Sequence, residues 1–305
     1  MRPASVAITL LLVTGCSPYI YKTEINEFSN GVNELSSAYN AGLKSSGSER
    51  QERQRRQWTK KRARIALTEG CVLQASGGPD NVSACALREV GKAPPAPSRI
   101  ETQAIPAAPI IKALRDYADA LAAVTNAEDQ QTLEAAQAQF KNSIQDLAKQ
   151  RDPALPASLG PVADVFSATM TAALNARRYE ILRDGVTAAN APVAELGGAL
   201  GEALDAIRTA RANELRLLAD DLSAELGPAF GSTDYLSQLN LIEGKVNSLE
   251  ALRHSEPGQA ARDMVKAHEE LALALKDDRR QVQAVIASVR AFVDKAKAVR
   301  EAFAG

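Results

Sequence analysis

The chain has little of what enzymes usually work with. Its 305 residues include two histidines, three cysteines, three methionines and one tryptophan, and aromatics make up only 4%. The histidines, His254 and His268, lie outside any HExxH pattern, so neither reads as a zinc ligand and both are expected on the surface. No GxSxG nucleophile elbow and no GxxxxGK[ST] phosphate loop occurs. No catalytic residue, metal site or cofactor is therefore expected, and the chain does not read as an enzyme. Charge of one sign is also missing, with 36 basic against 37 acidic residues. That balance removes the field that draws a protein to nucleic acid, and no such partner is expected. Period-two runs of Val, Ile, Thr and Tyr are absent, which argues against a β-sheet fold.

Long hydrophobic runs are equally scarce. The most apolar stretch, Val6 to Val13, falls well short of the roughly 20 residues a membrane-spanning helix needs. Arg2 precedes it, and the small residues Thr14 and Gly15 lead to Cys16, the layout of a secretory signal. Val13-Thr14-Gly15-Cys16 matches a lipobox, and this segment resembles the signal peptide of a bacterial lipoprotein. The resemblance covers only the first sixteen residues. It implies removal of residues 1–15, a diacylglycerol on the Cys16 thiol and a further acyl chain, such as palmitate, on the new amine. Ser17, where lipoproteins held at the inner membrane carry Asp, implies the periplasmic face of the outer membrane. Two or more acyl chains, at about 0.8 kcal/mol per buried CH₂, make such an anchor nearly permanent.

The other cysteines, Cys71 and Cys85, flank a stretch whose Gly77-Gly78-Pro79-Asp80-Asn81 is a strong turn signal. An even pair in an oxidising compartment reads as a disulfide closing this loop, contributing about 3 kcal/mol. No further ligands stand nearby for a metal. Asn81-Val82-Ser83 fits a glycosylation sequon by chance.

What the chain has in abundance is helical periodicity. Ile25, Phe28, Val32, Leu35, Tyr39 and Leu43 recur in steps of three and four. Ser45-Ser46-Gly47-Ser48 then suggests a break, with Ser48 and Gln51 as a capping box. Five prolines at 94, 95, 97, 106 and 109 mark residues 92–109 as an extended linker or strap. Beyond it a stripe runs from Ile110 through Tyr117 and Phe140 to Leu147, ending at Asp152-Pro153 and Leu155-Pro156. Another runs from Val162 to Leu182, with Pro192 as a kink or interruption. It resumes from Leu196 to Leu222 and stops at Gly227-Pro228. A short helix from Tyr235 to Leu252 turns Leu239, Ile242, Val246 and Leu249 inward. A last one runs from Pro257 to about Phe303. Gly197 and Gly201, four apart, leave a helix face bare for close approach of a neighbour. The expected fold is all-α, an elongated bundle of long antiparallel helices with a disulfide-closed loop near the N-terminal third. Its divisions are the leader 1–15, a helical segment 16–91, the linker 92–109 and a bundle 110–305.

The sharpest feature of the mature chain is basic. Arg50, Arg53, Arg55, Arg56, Lys60, Lys61, Arg62 and Arg64 surround Trp58. They form either a solvated helix face or a surface for an anionic lipid, glycan or acidic partner. One straight helix over 19–64 would carry this run roughly 50–70 Å from the anchor, whereas a hairpin at Ser45–Ser48 would return it to the bilayer. These features point to a lipid-anchored envelope scaffold or interaction module with a protein partner. An envelope enzyme or its accessory subunit, or a binder of ligand or lipid between helices, is the alternative.

Overall fold

The computed structural model describes residues 21–67, 87–92, 98–151, 174–277 and 282–305. Cys16, Cys71 and Cys85, the prolines at 94, 95 and 97, and the stripe from Val162 to Met170 lie outside them. The described elements are α1 (Lys22–Lys61), β1 (Ile65–Leu67), β2 (Leu87–Glu89), α2 (Ala108–Asn126), α3 (Gln130–Arg151), α4 (Leu174–Leu226), α5 (Asp234–His254), α6 (Pro257–Lys276) and α7 (Val282–Ala304). The all-α bundle read from the stripes is the fold; the disulfide-closed loop expected beside it falls on residues that are not described.

The axis of the molecule is α4, whose 53 residues extend about 80 Å at 1.5 Å per residue. Alongside it α2 and α3 form a hairpin turned at Asp129. That carboxylate accepts the Thr132 N–H at 2.8 Å, and the Thr132 hydroxyl accepts the Asp129 N–H at 3.2 Å. This reciprocal cap splits the stripe over 110–147 into two helices. On another side α5 and then α6 return along α4, and Arg208 donates to the Ser255 carbonyl at the break between them (3.1 Å). From there α7 turns back along α6, with Lys295 bonded to Glu256 at 2.7 Å. Not every neighbour is antiparallel. Helix α1 lies parallel to α7, since Gly31 faces Phe292 and Gly42 faces Phe303, and Gly42 also faces Ile207 of α4.

One core joins these elements. Ile25, Phe28, Leu35 and Tyr39 of α1 belong to the same buried cluster as Tyr117, Phe140, Leu200, Leu271 and Phe292. The divisions expected at 91 and 110 therefore do not separate two cores.

Four local expectations are corrected. Ser45–Ser48 is no break: α1 runs through it, the Ser48 hydroxyl bonds back to the Lys44 carbonyl at 3.1 Å, and Ser46 and Glu49 are buried. From Arg99 on the described linker is helical, with a π-turn over Ile100–Ala104 and a 3₁₀ turn over Ile105–Ala107. Ser98 and Glu101 cap that segment reciprocally (2.6 and 3.4 Å), and Tyr39 donates to the Ala104 carbonyl at 2.7 Å. Pro106 and Pro109 stand in first turns, where no N–H is needed. Third, of the kink or interruption expected at Pro192 the interruption does not occur: α4 continues through it, and Pro192 is buried beside Ala189 and Val193 of the same face. Fourth, the last stripe is two helices, because the backbone becomes extended at Asp277, where the polar run Asp277-Asp278-Arg279-Arg280 offers no residue to bury. Gly197 and Gly201 do face a neighbour closely: added methyl groups would meet Val265 and Met264 at the first position, and Ala261 and the Gly258 backbone at the second.

Candidate functional site

Beyond Glu49 the molecule narrows to an arm of three helices: the end of α1, the end of α4, and α5. Here the basic run can be followed residue by residue. Arg53 forms a two-pronged bond to Glu214 at 2.5 and 3.0 Å. That bond raises the already high pKa of its guanidinium. Arg56 reaches Glu225 at 3.1 Å and Glu52 at 3.4 Å. Lys60 touches Asp221 and Glu225, both at 3.3 Å. Partial desolvation of its ammonium opposes the charge, but the two carboxylates together outweigh it and raise the pKa. Arg50 lies 3.5 Å from Glu101, and Lys245 of α5 bonds Glu52 at 2.9 Å. Half of the basic run thus takes part in a seam of partly exposed ion pairs along the molecule's own surface. Carboxylates of the molecule answer four of its eight cations.

The seam follows from helix geometry. Arg53 and Lys60 are two turns apart on one face of α1, as are Glu214 and Asp221 on α4, and both pairs are offset by 161 residues. Two parallel helices of equal rise hold such an axial offset, although a seven-residue spacing drifts by about 20° around each helix per heptad. At the root of the arm the offset is one residue larger, 162, and places Glu49 on Arg211, a buried pair 2.7 Å apart. Arg211 also donates to the Ala302 and Phe303 carbonyls at 3.3 and 2.8 Å, closing the exposed end of α7. These carboxylates, Glu49 and Arg211 were missed in the sequence. Their signal was the matching seven-residue spacing of opposite charges on two distant stripes.

The remaining cations differ. Arg55, Lys61, Arg62 and Arg64 are exposed, and none forms an ion pair among the described residues. Arg62 ends α1 in the left-handed conformation (φ 50°), its N–H bonded to Thr59 and that of Ala63 to Trp58. This termination turns the chain into β1, which pairs antiparallel with β2. Trp58 is half-buried beside it.

The histidines divide. His254 is exposed and bonds Glu250 at 2.8 Å, as expected of a surface group. His268 is not on the surface; it is fully buried, a correction to the sequence reading. Its Nε2 meets the Tyr117 hydroxyl at 2.7 Å and its Nδ1 meets Asn190 Oδ1 at 3.2 Å. Burial lowers its pKa to about 3, so the ring is neutral, donating from Nδ1 and accepting the Tyr117 proton at Nε2. With Phe28 and Tyr117 tilted against it, the ring is core filling with its polar atoms satisfied.

Among the described residues no cluster of His, Cys, Asp and Glu is placed to hold a metal ion, and no helix is long and apolar enough to cross a membrane. Two surface grooves are lined by polar residue types: one of about 560 Å³ between α1 and α7, lined by Glu27, Asn33, Arg290 and Lys297, and one of about 610 Å³ beside Arg55 and Thr59. No protein-family model, curated protein or solved structure matches the chain. Its own residues carry the functional argument.

Proposed function

We propose that this is a lipid-anchored envelope protein, held at the periplasmic face of the outer membrane, that works as a non-enzymatic interaction module. The observation that carries the reading is the unbroken course of α1. It begins at Lys22, six positions after Cys16, and its 40 residues extend about 60 Å to the free cations at its far end. An acyl anchor on Cys16 would thus mark one end of the molecule and leave the arm to meet a partner at the other. Exchanging Cys16 for Ser tests the anchor. The variant should leave the membrane fraction and lose the acyl mass on Cys16; unchanged fractionation without any acyl mass on the native chain would sink the reading.

A Cys71–Cys85 bond belongs to this proposal. The pairing of Leu67 with Leu87 supports it by bringing the flanks of that segment together, four and two residues from the two cysteines. Under non-reducing conditions both thiols should resist alkylation, and two readily modified thiols would exclude the bond.

A further inference from the structure

The two-stranded ribbon at the end of α1 is thinly covered among the described residues. None of its six strand residues is buried, yet a two-stranded ribbon is marginal in water without a third strand or a packed face. The register pairs Ile65 with Glu89, Ala66 with Arg88 and Leu67 with Leu87. Because side chains alternate, Ile65, Leu67 and Leu87 share one face, where they are 36%, 60% and 50% exposed. Arg64 and Arg88 share the other. Glu89, opposite Ile65, joins the first face, and Ala66 and the exposed Val90 join the second, so one face is mainly apolar and the other carries the cations.

The backbone is open as well. Val90 donates to the Arg64 carbonyl at 2.9 Å, which makes Arg64–Val90 and Ala66–Arg88 the bonded pairs of the ladder. The N–H and C=O groups of Ile65 and Leu67 then point to the outer edge of β1, and no hydrogen bond to them is found among the described residues. Just before β1 in the chain stand Lys61, Arg62 and Arg64, exposed cations that form no ion pair among the described residues.

We infer that β1 is an edge for a partner strand, and that the partner is an extended segment of another protein in which apolar and acidic residues alternate. A strand added to this edge gains main-chain bonds from Ile65 and Leu67. Its period of two places apolar side chains against Ile65 and Leu67 and its carboxylates on the side of Arg64 and neighbouring cations. A second copy of this chain does not fit, because it would bring the same cations together. A flat anionic membrane answers the cations but leaves the edge N–H and C=O groups without partners. The inference rests on the interaction-module reading and specifies its partner.

The experiment uses the full chain carrying Cys16→Ser, with the single tryptophan, Trp58, as the fluorescent reporter. The probes are a short peptide alternating valine with glutamate, its lysine counterpart, and phosphatidylglycerol vesicles. The acidic peptide should bind and the lysine peptide should not. Replacing Lys61, Arg62 and Arg64 by Gln should weaken binding at least tenfold, and raised salt should act in the same direction. Ile65→Pro removes an outer-edge donor without touching the ladder bonds, so it too should cost at least tenfold while circular dichroism stays the same. Absent peptide binding, binding indifferent to both sets of changes, or a preference for the vesicles would overturn the inference. So would a concentration-dependent dimer blocked by Ile65→Pro. Membrane retention of the native chain is measured separately, so the anchor and the docking edge can fail independently.

Discussion

The two halves of α1 are held to the molecule by different forces. From Lys22 to Tyr39 the helix buries Ile25, Phe28, Val32, Leu35 and Tyr39 against α2 and α7. From Glu49 to Lys61 it buries only Glu49 and is tied by ion pairs to α4 and α5. The arm's third helix repeats the contrast. Of the residues in α5 only Leu252 is buried, while Leu236, Leu241 and Val246 are exposed and spaced five apart, so they form no continuous face. Val246, expected inward, is among them. Apolar burial is insensitive to salt and strong, whereas partly exposed ion pairs are screened and contribute little each. The body is therefore the stable unit. The arm has a thinner apolar core, chiefly Leu215, Leu218 and Leu222 of α4, and leans more on its ion pairs, so it is the less stable of the two.

That contrast can be broken most directly at the root. Arg211→Met leaves the Glu49 carboxylate buried without its partner, and urea unfolding should show a loss of about 3–5 kcal/mol. Adding Glu49→Leu should restore much of it, because no stranded charge then remains. A body that unfolded no more easily in the single variant would show that the pair is not sealed.

The body has its own titration signature. Above pH 6.5 His268 is neutral in both folded and unfolded chains, so its contribution is complete. Between about 6.5 and its folded value of about 3, the unfolded chain takes up a proton that the folded one refuses. Stability should fall by about 1.4 kcal/mol per pH unit across that window as pH drops. His268→Gln should flatten this part of the profile relative to the native chain, and parallel profiles would contradict a buried neutral ring.

The seam should give a smaller effect. A double-mutant cycle on Arg53 and Glu214 should return about 0.5–1 kcal/mol of coupling at low salt. In molar salt, amide exchange should quicken in α5 while α2 keeps its protection. Equal protection in both helices would erase the distinction between body and arm. The smallest change is expected from Leu241→Thr on the exposed side of α5, within about 0.5 kcal/mol by thermal melting. A large loss there would mean that α5 has an apolar partner.

The sequence showed the helices better than their ends. Ile25, Tyr117, Phe140 and Leu200 lie inside, where their spacing put them, because a three-four repeat is a local property of the chain. The basic run was legible as a run, but its partners were not. Glu214 and Asp221 carry no local mark that distinguishes them from other acidic residues on solvated faces. Only the register of two helices, 161 residues apart in the chain, makes them the answer to Arg53 and Lys60. His268 was misjudged for the same reason, since Tyr117 and Asn190 reach it from distant elements.

By itself, then, the sequence determined that the chain is helical, which residues of most stripes face inward, and that a cationic stretch ends the first helix. Tertiary structure decided whether a helix continues through Ser45–Ser48 or Pro192, which charges are spent internally, and which are left at the tip. The physical reason is one of scale. A serine, a glycine or even a proline in a helix costs a few kcal/mol at most. Contacts along the continuous core outweigh that cost, and their partners are supplied from far away in the chain.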